Sequence, residues 1–219
     1  MKRVLSLLLT IFVCAGVCLG AVAASGKGRL KQSRADRFRD TAHEIVRQAI
    51  QNDSAVRIDG TECNSYDLID WSIALSAAPD RLIRFNHLTE DKLGVLGCLF
   101  LKKADIDEAA RNPDFEFYFR TDGKRAESIA ALMNRYYPGH SITAVSLGNF
   151  SFKKAVHAAA KIDAVSRTNI DNMYYYYYDI ENNQYIYGGR CALDRNGYVH
   201  FKTNGMPVFF SQGMLPGAK

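Results

Sequence analysis

Met173 to Ser211 reads M-Y-Y-Y-Y-Y-D-I-E-N-N-Q-Y-I-Y-G-G-R-C-A-L-D-R-N-G-Y-V-H-F-K-T-N-G-M-P-V-F-F-S. Aromatic and β-branched runs are broken there by Asn-Asn, Asp-Arg-Asn-Gly and Asn-Gly, the pattern of consecutive antiparallel hairpins. A first turn centred on Asn182-Asn183 sets Ile180 opposite Tyr185, Tyr178 opposite Tyr187 and Tyr174 opposite Cys191. These residues then share one face, and Tyr175, Tyr177, Asp179, Ile186 and Arg190 share the other.

The second turn has two readings, and a one-residue slip exchanges the faces. A tight Asn196-Gly197 turn puts Tyr198, His200 and Lys202 beside Leu193. A type I turn over Asp194 to Gly197 with a glycine bulge puts Val199 and Phe201 there instead, and the apolar pattern selects it. A third turn at Asn204-Gly205 sets Phe210 opposite Val199 and Val208 opposite Phe201, with Pro207 in an edge strand.

One face of the predicted four-stranded meander is therefore apolar. The other carries Asp179 and six candidate binding residues, Tyr175, Tyr177, Arg190, Tyr198, His200 and Lys202. Antiparallel sheets commonly wet one side, so a solvated outer face accounts for these residues. Tyrosines beside Arg, His and Lys also suit sugars, carboxylates or an acidic partner protein.

Upstream, Phe38, Ala42, Ile45, Val46, Ala49 and Ile50 keep helical spacing, which predicts an amphipathic helix over 34–52. A second helix spans Ser65 to Ala78 and stops at Pro79. Arg81 to Phe85 is a strand candidate, and Leu93 to Leu101 reads as a strand although a buried helix fits nearly as well. Phe115 to Arg120 alternates like a strand, Lys124 to Tyr137 is helical, and Ser141 to Leu147 is again a strand. That strand–helix–strand unit is expected to cross over right-handed with parallel strands. Phe152 to Val165 is expected to be helical, with His43 and His157 as isolated helix-surface residues. The fold class expected is α+β, with N-terminal helices and the strand–helix–strand unit packed on a C-terminal four-stranded antiparallel meander.

The chain of 219 residues opens with Lys2 and Arg3, an apolar run, and the small residues Ala21 to Ala24. This is the pattern of a secretory signal peptide over 1–24. A basic, loose stretch over 25–34 and a single α+β domain over 35–219 are expected to follow it. Without residues 1–24 the charge falls from +5 to +3, 26 Lys and Arg against 23 acids, too mild a balance to argue for nucleic acid. No later stretch has the roughly 20 apolar residues of a membrane-spanning helix. The expected location is the periplasm or the extracellular space. Cys63, Cys98 and Cys191 remain, permitting one disulfide in any of three pairings. Cys98, inside Leu96 to Leu101, reads as a small buried apolar residue.

Few constellations point to chemistry. Thr121 to Arg125 joins a strand to a helix where backbone N–H groups can hold an anion, but Thr121 or Asp122 serves equally as an N-cap. Asp105, Asp107 and Glu108 suit a helix first turn better than a metal. Cys191 and His200 fall on opposite faces in the preferred register, and a Cys nucleophile needs its His in contact. His140 beside Ser141 lacks the G-x-S-x-G elbow. No metal or nucleotide motif is present, so no cofactor, metal ligand or catalytic residue is assigned. Tyr66 to Asp70 followed by Arg81 to Asn86 is similar, over about twenty residues, to a segment of sialyltransferase-type glycosyltransferases. Gly60-Thr61-Glu62-Cys63 stands where that family has a Gly-Asn-Gly-type turn, and the chain is not assigned to it.

The function expected is an exported, non-catalytic binding protein of a bacterial envelope, with inhibitor or immunity types included. Its partner would be an envelope glycan, an anionic ligand or another protein, not nucleic acid. The alternative is a small secreted hydrolase using a His with Cys or Asp.

Overall fold

A computed structural model describes residues 34–61, 63–162 and 172–217. The expected signal peptide (1–24) and all but the last residue of the basic stretch (25–34) lie outside the described residues. The elements run α1 (Arg34–Gln51), β1 (Val56–Asp59), α2 (Ser65–Ala74), β2 (Ile83–Leu88), β3 (Val95–Leu101), α3 (Lys103–Ala109), β4 (Phe119–Arg120), α4 (Lys124–Tyr136), β5 (Ile142–Leu147), β6 (Val156–Lys161), β7 (Met173–Asp179), β8 (Gln184–Leu193), β9 (Tyr198–Thr203) and β10 (Val208–Gln212). All ten strands join one sheet, in the order β1-β2-β3-β6-β9-β8-β7-β10-β5-β4.

This corrects the expected C-terminal four-stranded meander, because the sheet takes in most of the chain. β7, β8 and β9 do pair in sequence, but β10 leaves β9 and lies between β7 and β5. The spatial order β10-β7-β8-β9 is a Greek key. The reason is visible in Val208, Phe209, Phe210 and Ser211, all buried. A strand with both faces covered belongs in the middle of a sheet, not at its edge. Pro207 precedes this central strand, and its carbonyl accepts the Tyr178 N–H.

The first hairpin also differs in detail. Its loop holds four residues, so Tyr178 pairs with Tyr185 and Asp179 with Gln184. A bulge beyond Tyr175/Tyr176 then returns Gly189 opposite Tyr175 and turns Cys191 inward beside Met173. Gly188 is required there, since a Cβ would lie 2.2 Å from the Tyr175 ring. The second turn is the bulged one, with Leu193 opposite Val199 and Gly197 at φ +84.

Two further expectations fall. β4 and β5 pair antiparallel, Phe119 with Leu147, so residues 115–147 form no parallel crossover. Among the described residues the parallel pair is β1 with β2. The 152–165 stretch carries a strand, β6, in place of a helix. Its alanines favour a helix locally, but β6 lies between β3 and β9, where the small Ala158 sits between Leu99 and Phe201.

The sheet bends round a core. Phe85, Leu99, Ala158, Phe201, Tyr175, Phe210, Val145 and Leu147 point into one cluster with Leu68, Trp71 and Ile106 of the helices. β4 returns to the second and third strands, where the Nδ1 of His87 lies 3.1 Å from both the N and the O of Phe119. Gly97 makes room for this approach, since a Cβ there would meet the Phe119 ring at 2.4 Å. A second cluster covers the opposite side of β5, β10 and β7, where Ala126, Ile129 and Met133 of α4 pack on Ala144, Tyr176, Tyr178 and Phe209.

Both N-terminal helices form where the sequence placed them, but Ile45 and Ile50 of the expected apolar stripe are exposed, and α2 ends at Ala74, short of the expected Ala78. α1 buries Ala42, Val46 and Ala49 and sets Phe38 edge-on to Trp71, with ring centroids 6.0 Å apart. α2 opens on a capping box, in which Asn64 accepts from the N–H groups of Tyr66 and Asp67 while Asp67 accepts from the Asn64 N–H. No helix among the described residues is long and apolar enough to cross a membrane.

Candidate functional site

Where β2, β3, β6, β9 and β8 run side by side, alternation sends every second residue away from the core. The pairings place Arg84, Phe100, His157 and Lys202 in one row across four strands. Asn86, Cys98, Ala159, His200 and Ala192 make the next. The His157 ring stacks on Phe100 with centroids 4.7 Å apart. On the diagonal, His157 Nε2 lies 3.2 Å from His200 Nδ1. The other ring nitrogen of His200 is 3.3 Å from an Asp194 carboxylate oxygen.

The Asp194 side of this chain has a defined cause. Asp194 opens the bulged turn and accepts the N–H groups of Asn196 and Tyr198. Partial burial works to raise its carboxyl, but those N–H groups and His200 hold it below the ordinary value. An ionised carboxylate can only accept. It therefore accepts from the Nε2–H of His200, and Nδ1 of the same ring faces His157. Burial, then the neighbouring His200 and Lys202, push the His157 imidazole down, towards the neutral form.

Cations surround the chain. Arg57 pairs with Arg84, and Lys161 pairs with Tyr198 on the same outward side. The Nε of Arg84 is buried without a hydrogen-bond partner. Its guanidinium lies against Cys98, whose thiol is nevertheless pushed up by burial. Tyr198 donates its hydroxyl to the Val95 carbonyl at 2.7 Å, which pins the ring against β3.

Of the six residues expected to form a binding face, Tyr198, His200 and Lys202 share this outer side of β9. Arg190 is exposed on β8, two residues before Ala192. Tyr175 and Tyr177 are elsewhere. Tyr175 is buried in the interior, 6.0 Å from the Phe201 ring. Tyr177 also points inward and donates its hydroxyl to the Lys202 carbonyl. The sequence reading missed His157, Phe100, Arg84 and Asp194. His157 was hidden by the helical reading of β6, although Val156, Ala158 and Ala160 alternate with His157 and Lys161 at the spacing of a strand.

The other constellations resolve structurally. Cys63, Cys98 and Cys191 are free thiols, and burial pushes Cys63 and Cys191 up to about 12. Cys191 points inward, away from His200. His140 gives Nδ1 to the Gln212 carbonyl at 2.9 Å, so that nitrogen has no lone pair for the Ser211 hydroxyl 3.4 Å away. Asp105 accepts the Lys102 N–H, Asp107 holds Lys103, and Glu108 accepts the Lys153 N–H. Among the described residues no three His, Cys, Asp or Glu side chains converge as a metal site. The N-cap of α4 is Gly123, without a side-chain cap from Thr121 or Asp122. It borders an open cavity of about 500 Å³ lined also by His87, Lys92, Arg120 and Glu90.

Comparison with protein-family models, with curated proteins and with solved structures gives no match for this chain.

Proposed function

We propose that this chain is an exported, non-catalytic binding protein whose partner, an anionic glycan or an acidic protein surface, lies on the outer face of β2, β3, β6 and β9. One observation carries the reading: Arg57, Arg84, Lys161 and Lys202 gather with Phe100, Tyr198 and two histidines on one sheet face. Asp59 and Asp194 are the acids beside them. Aromatic rings stack on sugar or peptide surfaces while the cations make charge-assisted bonds to carboxylate or sulfate groups. The test is retention on immobilised anionic polysaccharide against neutral dextran. Replacing Arg57, Lys161 and Lys202 together with Glu should abolish retention on the anionic matrix, which should also fall with salt. Equal retention on both matrices, or retention unchanged by the triple replacement, overturns the reading.

A second reading has a specific observation behind it. The Asp194–His200–His157 chain can orient a proton and pass it outward, as a hydrolase acting through a His and an Asp requires. The elevated thiols argue against a cysteine nucleophile. Hydrolysis of ester, glycoside or phosphodiester substrates that is abolished by His157→Gln would favour this reading over binding alone.

A further inference from the structure

We infer that His157 and His200 are the two protein ligands of a divalent late-transition-metal site, which neither the sequence nor the binding reading assigns. Their facing nitrogens, His157 Nε2 and His200 Nδ1, are 3.2 Å apart. At metal–imidazole bonds of about 2.0–2.1 Å this separation subtends roughly 100° at a shared ion, close to a tetrahedral or a cis-planar angle. Two imidazoles suit Cu²⁺, Ni²⁺ and Zn²⁺, and of these Cu²⁺ binds most tightly at a given nitrogen site.

The second support is the group behind the ligand. Metal-binding histidines ordinarily give their other ring N–H to a carboxylate, which fixes the tautomer and raises the basicity of the ligating nitrogen. Asp194 stands in that position on His200, 3.3 Å from Nε2. Phe100 sets the plane of His157 by stacking. The pair is partly open to solvent, with the His200 side chain 39% exposed. The remaining coordination positions therefore face outward, for water or for an oxygen of an anionic ligand. Lys202 lies opposite His157 and opposes a dication, but it is solvent-exposed and screened.

The experiment titrates Cu²⁺ alone into the purified chain and reads it by electron paramagnetic resonance, so it does not depend on any anionic partner. One ion per chain with two imidazole nitrogens is expected. His157→Gln and His200→Gln should each weaken binding at least about tenfold and leave one imidazole nitrogen. Asp194→Asn should weaken it about 10–100-fold with both nitrogens retained. Circular dichroism monitors folding of the variants. Should a variant unfold, selective paramagnetic broadening of the His157 and His200 ring resonances in the unaltered protein answers the same question. No bound copper, or copper unaffected by both histidine replacements and centred on His43, His140 or the amino terminus, overturns the proposal.

Discussion

Phe201 and Phe210 meet edge to face, ring centroids 5.2 Å apart, although β8 and β7 separate their strands in the sheet. The contact exists because the sheet bends until β9 and β10 oppose each other across the core. Both rings are buried, Phe210 at 1% exposure. Phe210→Ala should cost about 3–5 kcal/mol, the usual range for truncating a buried aromatic side chain. Urea unfolding checks it. A loss below about 1 kcal/mol would mean the rings do not share one interior.

Gly97 is a test of the sheet's return. Alanine there puts a Cβ on the Phe119 ring and should destabilise the protein by about 1–3 kcal/mol through overpacking. Gly139→Ala, with nothing within 4 Å, is the matched control and should leave the melting temperature nearly unchanged.

Asn64 caps α2 in a reciprocal pair with Asp67. Asn64→Ala should remove about 1 kcal/mol of stability, and Asn64→Ser should restore most of it. Thermal melts of the two variants distinguish loss of a cap from loss of an unrelated contact.

Burial holds the His87 imidazole below its ordinary value, against the pull of the Phe119 carbonyl. The unfolded chain then binds more protons than the folded one between pH near 6.5, the free imidazole value, and the depressed value. The contribution of His87 is fully present above about pH 6.5 and is lost as pH falls towards that depressed value. Unfolding midpoints between pH 7 and pH 5 should therefore decline, and His87→Asn should flatten that part of the profile. A decline equally steep in the variant would assign it to other groups.

Local signals announced much of this architecture. The spacing of Ala42, Val46 and Ala49 gave α1, Asn64 and Asp67 marked the start of α2, and the Asp194–Gly197 turn set Leu193 against Val199. Three features were carried by distant contacts instead. The Gly188 bulge reverses the faces between Tyr175 and Cys191, and alternation alone does not locate a bulge. β6 has an alanine-rich composition that favours a helix, and only its neighbours β3 and β9 make it a strand. The placement of β10 beside β7 depends on α4 covering Phe209 and Tyr176, residues far apart in the chain. His200 and Lys202 were legible because they follow a well-marked turn. His157 and Phe100 join them through pairings between residues about 45 and 57 apart, His157 with Lys202 and Phe100 with His157.

The position of β10 bears on how the chain acquires its shape. Until residues 208–212 are in place, β5 and β7 each present an unsatisfied row of amide and carbonyl groups, and the interior stays open beside Phe201. A closure that waits on such remote partners is slow. The last strand to be made, and not the first hairpins to pair, is thus the piece on which completion of the core depends.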